Sequence, residues 1–288
     1  MPYLLVANPE SGAETDDLPT RAKRELNDVR TIELTPGSDL AREISRATGE
    51  GRTIIACGGD GTVNAAAQHL AGTDGILGVL PAGTRNHFAR DLGVRDPDTA
   101  IATLAEGRHA RVDVGRAGDL VFVNNIGFGV YPEIVREREQ REDSEGRWTA
   151  LVTSVFRVMG DVDPLEGTIA VDGAAQPLAA TAVFVGNNRF STSPRSIGRR
   201  ERLDEAILDV RVVRARAGVL GRAGAGWRTA VSRPRRILTM VAEQVEITLQ
   251  EPRLVAMDGE QGPERAHLSL TSDPGALRVL APASLDLR

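Results

Sequence analysis

The loop Gly58-Gly59-Asp60-Gly61-Thr62 is built to hold an anion. Glycine lets backbone N–H groups approach phosphate oxygens, and a helix beginning after Thr62 would add unpaired N–H groups and its positive dipole end. Asn8-Pro9-Glu10-Ser11-Gly12 and Pro81-Ala82-Gly83-Thr84-Arg85-Asn86 are two more loops of small and turn-forming residues. A lone Gly-Gly-Asp-Gly says little, since strand-to-helix turns use glycine for geometry alone. Three such loops at the strand ends of one sheet point to phosphate. Asp60 adds a condition: a carboxylate among such amides is repelled unless a cation accompanies the phosphates or it accepts a hydrogen bond. Its plainer role is a turn or helix N-cap. A second corner, Met257-Asp258-Gly259-Glu260, carries two carboxylates after an apolar run, which taken alone reads best as an ordinary exposed turn.

These loops need elements to carry them. Tyr3–Ala7 is a short continuous apolar run, the mark of a strand buried on both faces. Helix signals near Arg21–Leu26 and a strand at Val29–Leu34 follow. Ser38 or Asp39 can cap a helix running to Thr48. Strands at Thr53–Cys57 and Ile76–Leu80 alternate with helices at Thr62–Leu70 and Asn86–Leu92. This rhythm predicts an α/β N-terminal domain, a parallel sheet with helices on both faces, whose ligands bind at the carboxyl ends of the strands. Beyond about Asn124 the pattern becomes β-rich: Thr168–Val171, Thr181–Val185, Leu208–Val213, Val245–Leu249, Leu254–Met257 and His267–Leu270. That predicts an all-β, sandwich-like second domain. Helical interruptions are expected around Trp148–Met159 and Val219–Val231.

Composition removes several kinds of chemistry. Lys23 is the single lysine and lies outside any Gly-rich loop, so Walker-type NTPases and protein kinases, which place a lysine on the phosphates, do not fit. Schiff-base chemistry is excluded on the same ground. Aromatics at 3% and a net charge of −5 argue against a nucleic-acid partner. The one cysteine, Cys57, allows no internal disulfide and suits a reducing cytoplasm. The sequence has neither a signal-peptide pattern nor an apolar run of membrane-spanning length, so a cytoplasmic protein, at most peripheral on a membrane, is expected.

Gly58-Gly-Asp-Gly-Thr-Val-Asn64 and Leu77-Gly-Val-Leu-Pro-Ala-Gly-Thr-Arg-Asn-His-Phe-Ala-Arg90 together resemble the catalytic domain of diacylglycerol kinases and related bacterial lipid kinases. These share a superfamily with NAD kinases and sphingosine kinases. The opening Asn8-Pro-x-Ser-Gly12, then Asn124-Asn-Ile-Gly-Phe-Gly129, Leu203–Val210 and Asp258-Gly-Glu260 fall in the family's order. The resemblance implies an ATP-dependent lipid kinase, with diacylglycerol the default acceptor. It implies an ATP site lined by Asn8, Pro9, Glu10, Ser11, Gly12, Thr35, Gly58, Gly59, Asp60, Gly61, Thr62, Val63, Asn64, Ala65, Gly83, Thr84 and Asn86, with Mg²⁺ carried by the nucleotide near Asp60. It puts Asp258 and Glu260 across a cleft, where one deprotonates the acceptor hydroxyl. The histidines, His69, His87, His109 and His267, offer no better-placed base. The implied domains are residues 1–122, to which a last strand at 278–287 returns, and residues 123–277.

Departures from the family pattern are visible. His87 stands where Gly-Thr-x-Asn-Asp-Phe-Ala has its Asp. Asp204-Glu205-Ala206 replaces Asp-Asp-Gly of a structural Mg²⁺ site, which in this register would use Glu205 and the carbonyls of Arg202 and Ile207. An NAD kinase-like enzyme and a silent nucleotide- and lipid-binding sensor are the rival readings. Residues 195–236 hold twelve Arg and four acidic residues, a surface suited to anionic lipid head groups or simply solvated. Trp148, Leu151, Val152, Val155, Phe156 and Met159 form an apolar stripe fit for an acyl chain or for core packing. A homodimer is compatible with all of this.

Overall fold

A computed structural model of the chain describes residues 1–9, 17–35, 37–129, 164–193, 198–214 and 237–287. The expected helices at Trp148–Met159 and Val219–Val231, the apolar stripe, most of the Arg-rich stretch and the loop residues Glu10, Ser11 and Gly12 lie outside them.

The N-terminal elements follow the apolar patterning. They are β1 (Tyr3–Ala7), α1 (Leu18–Glu25), β2 (Val29–Glu33), α2 (Leu40–Gly49), β3 (Thr53–Gly58), α3 (Asp60–Leu70), β4 (Ile76–Pro81), α4 (His87–Asp91) and α5 (Pro97–Glu106). Asp39 caps α2 by accepting the Arg42 N–H at 3.1 Å. The helix α5 was not anticipated, although Asp96 caps it through the Thr99 N–H at 2.8 Å and Pro97 opens it. β1 pairs in parallel with both β2 and β3, and β3 with β4.

The remaining elements among the described residues are strands: β5 (His109–Ala117), β6 (Leu120–Phe122), β7 (Asn125–Gly129), β8 (Leu165–Val171), β9 (Ala174–Asn187), β10 (Leu208–Arg214), β11 (Ile237–Ala242), β12 (Gln244–Met257) and β13 (Glu260–Leu280). Here the expectation of a wholly parallel first sheet is corrected. β5 runs antiparallel to both β13 and β6, and among the described residues all thirteen strands join one sheet whose pairings are mainly antiparallel. Parallel pairs are confined to β1 through β4 and to the end of β13, where Arg278 and Val279 lie beside Ile76 and Leu77.

Two strands expected at Val245–Leu249 and Leu254–Met257 are a single strand, β12, broken in register around Pro252, which has no N–H to give the ladder. The expected strand at 278–287 ends at Leu280 because Pro282 follows two residues later. β9 and β12 each pair with β7 and with β8 at different parts of their length, which closes these four strands into a ring.

Two hydrophobic clusters result. One packs Leu4, Leu5, Ile54, Ile55, Leu77, Leu80 and Phe88 together with Leu277 and Val279 of β13. The other gathers Phe122, Phe128, Val183, Val185, Val210, Val245 and Ile247 inside the closed strands. Burial of this apolar area is the main driving force of the fold. The site below lies where β13, β6 and β7 meet the first cluster's helices.

Candidate active site

The chain crosses the carboxyl edge of β1, β3 and β4 in neighbouring loops. Asn8 donates its N–H to the Cys57 carbonyl at 3.1 Å, and Ala82 donates to the Gly58 carbonyl at 3.0 Å. Gly59 and Gly83 touch backbone to backbone: a Cβ on Gly83 would stand 2.5 Å from the Cα of Gly59, so this contact requires glycine. The Asn86 side chain staples the second loop, accepting from the Gly83 N–H at 3.1 Å and donating to its carbonyl at 2.6 Å. Asn86 itself adopts a left-handed conformation (φ 49°), which Asn tolerates better than most residues. The first turn of α3 has no side-chain cap from Gly59. Thr62 is buried, and its hydroxyl oxygen has no hydrogen-bond partner. An uncapped helix start beside two bare glycine loops is an anion site in outline.

Asp60 does not cap its own helix. Its carboxylate accepts the N–H groups of His87 and Phe88, both at 3.0 Å, and so caps α4 across the loop gap. Asn124 Nδ2 adds a third bond at 3.2 Å. The expected capping role of Asp60 is therefore exercised on α4, with its carboxylate beside the Gly59–Gly61 loop. Burial holds the His87 imidazole below its ordinary pKa, against the pull of Asp60 and Asp91, so this ring is neutral at pH 7.

The second corner resolves the two carboxylates into different parts. Asp258 and Gly259, with φ of 50° and 92°, form the two-residue turn between β12 and β13, where Asp-Gly is favoured. The Asp258 carboxylate is buried and fully engaged. Oδ2 accepts the Val123 N–H at 2.7 Å and the Asn64 carboxamide, while Oδ1 accepts the N–H groups of Asn124 at 2.7 Å and Asn125 at 2.9 Å. Burial raises its pKa to about 6 in spite of these four donors. Glu260 is exposed, and its Oε1 sits 2.5 Å from where a Cβ on Gly61 would be. Of the pair, Glu260 is the carboxylate open to a substrate beside the first turn of α3.

Other expected lining residues separate on inspection. Thr35 is exposed just beyond β2, Pro9 is exposed, and Thr84 is exposed at the tip of its loop. The Val63 side chain belongs to the core, and the Asn64 carboxamide faces Asp258 and the Val121 carbonyl rather than the phosphate loops. Ala65 is half-buried on α3.

The segment expected to hold a structural Mg²⁺ is tied by protein donors instead. Glu205 Oε2 accepts the Arg189 N–H at 3.1 Å, and the Ile207 carbonyl accepts the Asn188 N–H at 2.9 Å. Arg202 brings its own cation, 2.7 Å from Asp204 Oδ2. The buried carboxylate of Asp113 bridges the Ala206 and Gly275 N–H groups at 2.7 and 2.8 Å. No group of three His, Cys, Asp or Glu side chains suited to a metal occurs among the described residues. Glu205 Oε2 and the Ile207 carbonyl, two of the expected ligands, thus already accept hydrogen bonds within the chain. Ala206 keeps the left-handed turn (φ 59°) that Gly occupies in the family pattern.

Sequence reading also missed Asn124, Asp91 and Arg200 as parts of the site. Arg200 was hidden among many arginines, and its burial (4% exposed) is a tertiary fact.

Residues 2–117 match the family described as Diacylglycerol kinase catalytic domain. The chain is 26% identical to a Pseudomonas aeruginosa protein named "Probable lipid kinase YegS-like" over 289 residues, 99% of this chain and 95% of that relative. A Bacillus subtilis protein named "Diacylglycerol kinase" is 27% identical over 223 residues, 73% of this chain and 71% of its own length. A crystal structure of a diacylglycerol kinase from Bacillus anthracis superposes with a TM-score of 0.69 at 20% identity, over 99% of this chain and 98% of that one, a likeness of fold. Residues 2–117 are thus similar to the diacylglycerol kinase catalytic domain, the resemblance expected from the sequence motifs.

Proposed function

We propose that this protein transfers the γ-phosphate of ATP to a lipid hydroxyl, with a diacylglycerol-like alcohol as acceptor. The observation that carries this reading is the uncapped start of α3, flanked by the bare loops at Gly59 and Gly83, with the open Glu260 carboxylate beside Gly61. The triphosphate would lie along Gly58–Thr62 and Gly83–Asn86, where backbone N–H groups can donate to it. Asp60 is the carboxylate of these loops that would meet Mg²⁺ arriving with the nucleotide, and the ion would supply charge neutralisation there.

Glu260 acts as general base. The acceptor hydroxyl attacks the γ-phosphorus, its proton passes to the Glu260 carboxylate, and the bond from the γ-phosphorus to the bridging oxygen breaks to release ADP. Asp258 holds the turn that aims Glu260. Phosphoryl transfer asks for little beyond positioning and a base, and this corner supplies both.

No helix among the described residues is long and apolar enough to cross a membrane. The Arg-rich stretch 195–236 is suited to meet an anionic membrane that presents the lipid.

Labelled ATP, Mg²⁺ and mixed micelles containing diacylglycerol test the reading, with lipid-free micelles and NAD as controls. Radiolabel in phosphatidic acid is expected. Label in NAD instead, or in no acceptor while the protein is folded, would reject the assignment.

A further inference from the structure

Arg200 is the most deeply buried cation among the described residues: its side chain has no solvent exposure, and its partner Asp91 has 4%. An ion taken so far from water is destabilising unless its donors are all matched by oxygens. Here they are. Nε donates to Asp91 Oδ2 at 2.7 Å, Nη1 to the carbonyls of Val123 at 2.5 Å and Asn187 at 3.1 Å, and Nη2 to Asn124 Oδ1 at 2.7 Å. The ring of Phe190 lies 5.3 Å from the guanidinium carbon. Lysine has no planar fork to reach so many oxygens at once.

Two of these contacts lead to the phosphate loop by separate routes. A guanidinium can only donate, so Arg200 compels the Asn124 carboxamide to turn its oxygen inward and its NH₂ toward Asp60 Oδ1, 3.2 Å away. Asp91 closes α4, whose first N–H groups, on His87 and Phe88, bond the same Asp60 carboxylate. The contacts form a closed circuit: Asp60, α4, Asp91, Arg200, Asn124 and back to Asp60. Every hydrogen bond shown for the Asp60 carboxylate comes from a group that Arg200 orients or anchors.

We propose that Arg200 is a positioning residue for phosphoryl transfer, setting the Asp60 carboxylate through Asn124 and α4 without touching substrate. This rests on the reading of the Gly58–Thr62 loop as the ATP site, but its test has a part that does not. A brace that served stability alone would tolerate any change at Asn124 that keeps the Arg200 bond.

The variants are Arg200→Lys, Asn124→Ala, the two combined, and Asn124→Asp. Each is followed by turnover with ATP and diacylglycerol, by melting temperature, and by amide hydrogen exchange over residues 84–92. Arg200→Lys and Asn124→Ala should each lower kcat by about 10-fold or more while KM for the lipid moves less than about twofold. The double variant should be no slower than the slower single one, because both act on one circuit. Exchange of the His87 and Phe88 amides should rise by about 10-fold in Arg200→Lys. Asn124→Asp keeps an oxygen for Arg200 but sets a like charge against Asp60, so it should lose turnover at an unchanged melting temperature. It also serves if Arg200→Lys does not fold.

Additive losses in the double variant, or a fully active Asn124→Asp, would overturn the proposal. If the unmodified protein phosphorylates no lipid, the proposed function fails on its own. Exchange then still decides: wild-type protection of residues 84–92 in Arg200→Lys refutes the circuit, and lost protection sustains it.

Discussion

Replacing Asp258 by Asn tests whether this carboxylate reacts or only holds the corner. Its two oxygens serve four donors, with Val123 N–H and the Asn64 carboxamide on Oδ2 and two backbone N–H groups, from Asn124 and Asn125, on Oδ1. A carboxamide must turn its NH₂ toward one of these pairs. With the NH₂ on the Oδ2 side, Asn64 can rotate away, but the Val123 N–H is left buried and facing another donor. That costs about 1–3 kcal/mol. The remaining two bonds weaken from charge-assisted to neutral, about another 1 kcal/mol in all. Against this, burial disfavours the carboxylate, whose pKa of about 6 stands above the ordinary 3.8 of an aspartate.

The sign of that shift matters. The folded protein takes up this proton at higher pH than the unfolded chain does. The Asp258 share of stability is therefore greatest below pH 4 and falls as pH rises from 4 through 6, by roughly 3 kcal/mol for a shift of about two pH units. Because a carboxamide does not titrate, the stability gap between Asp258→Asn and the unmodified protein should be wider by roughly 2 kcal/mol at pH 4.5 than at pH 7.5. Thermal unfolding of both proteins at the two pH values checks this: at about 2–4 °C per kcal/mol, the gap in melting temperature should widen toward acid. Turnover should fall only as far as Glu260 is displaced. An unchanged melting temperature at both pH values, with turnover lost, would refute the anchor reading and make Asp258 a reacting group.

Glu260→Gln removes the base from an exposed side chain, so kcat should fall ~10²-fold or more with the melting temperature and ATP affinity held, as steady-state kinetics and calorimetry would read. Gly83→Ala pushes a methyl group to 2.5 Å from the Gly59 Cα. It should lower stability by about 1–3 kcal/mol and weaken ATP binding together, measured by denaturant unfolding and titration. Because Glu205 Oε2 and the Ile207 carbonyl already accept hydrogen bonds within the chain, EDTA should leave the melting temperature of nucleotide-free protein unchanged. A drop of several degrees on chelation would show a resident ion.

The glycine loops at Gly58–Gly59 and Gly83 were legible in the chain because their requirement is local. Gly58, Gly59 and Gly83 follow short apolar strands directly, and a backbone contact that forbids a Cβ leaves its mark as a residue type. Asp39 and Asp96 announce helix starts for the same reason: a cap acts on amides two or three residues away. Glu260 was visible as one of two carboxylates at an Asp-Gly corner, but their division of labour was not. Asp258 became an anchor only when β6, β7 and α3 brought four donors around it, from residues about 130 to 194 positions distant in the chain. The same holds for Arg200, one arginine among the many of its stretch until Asp91, Val123, Asn124 and Asn187 surround it. The 202–207 segment kept enough of the family pattern to suggest a metal, yet its ligands' partners come from Asn188, Arg189 and Asp113, elements apart. Sequence spacing carries what short-range sterics and hydrogen bonds demand. Which buried charge is matched, and by what, is settled where distant strands meet, since only there is water removed and the electrostatic cost incurred.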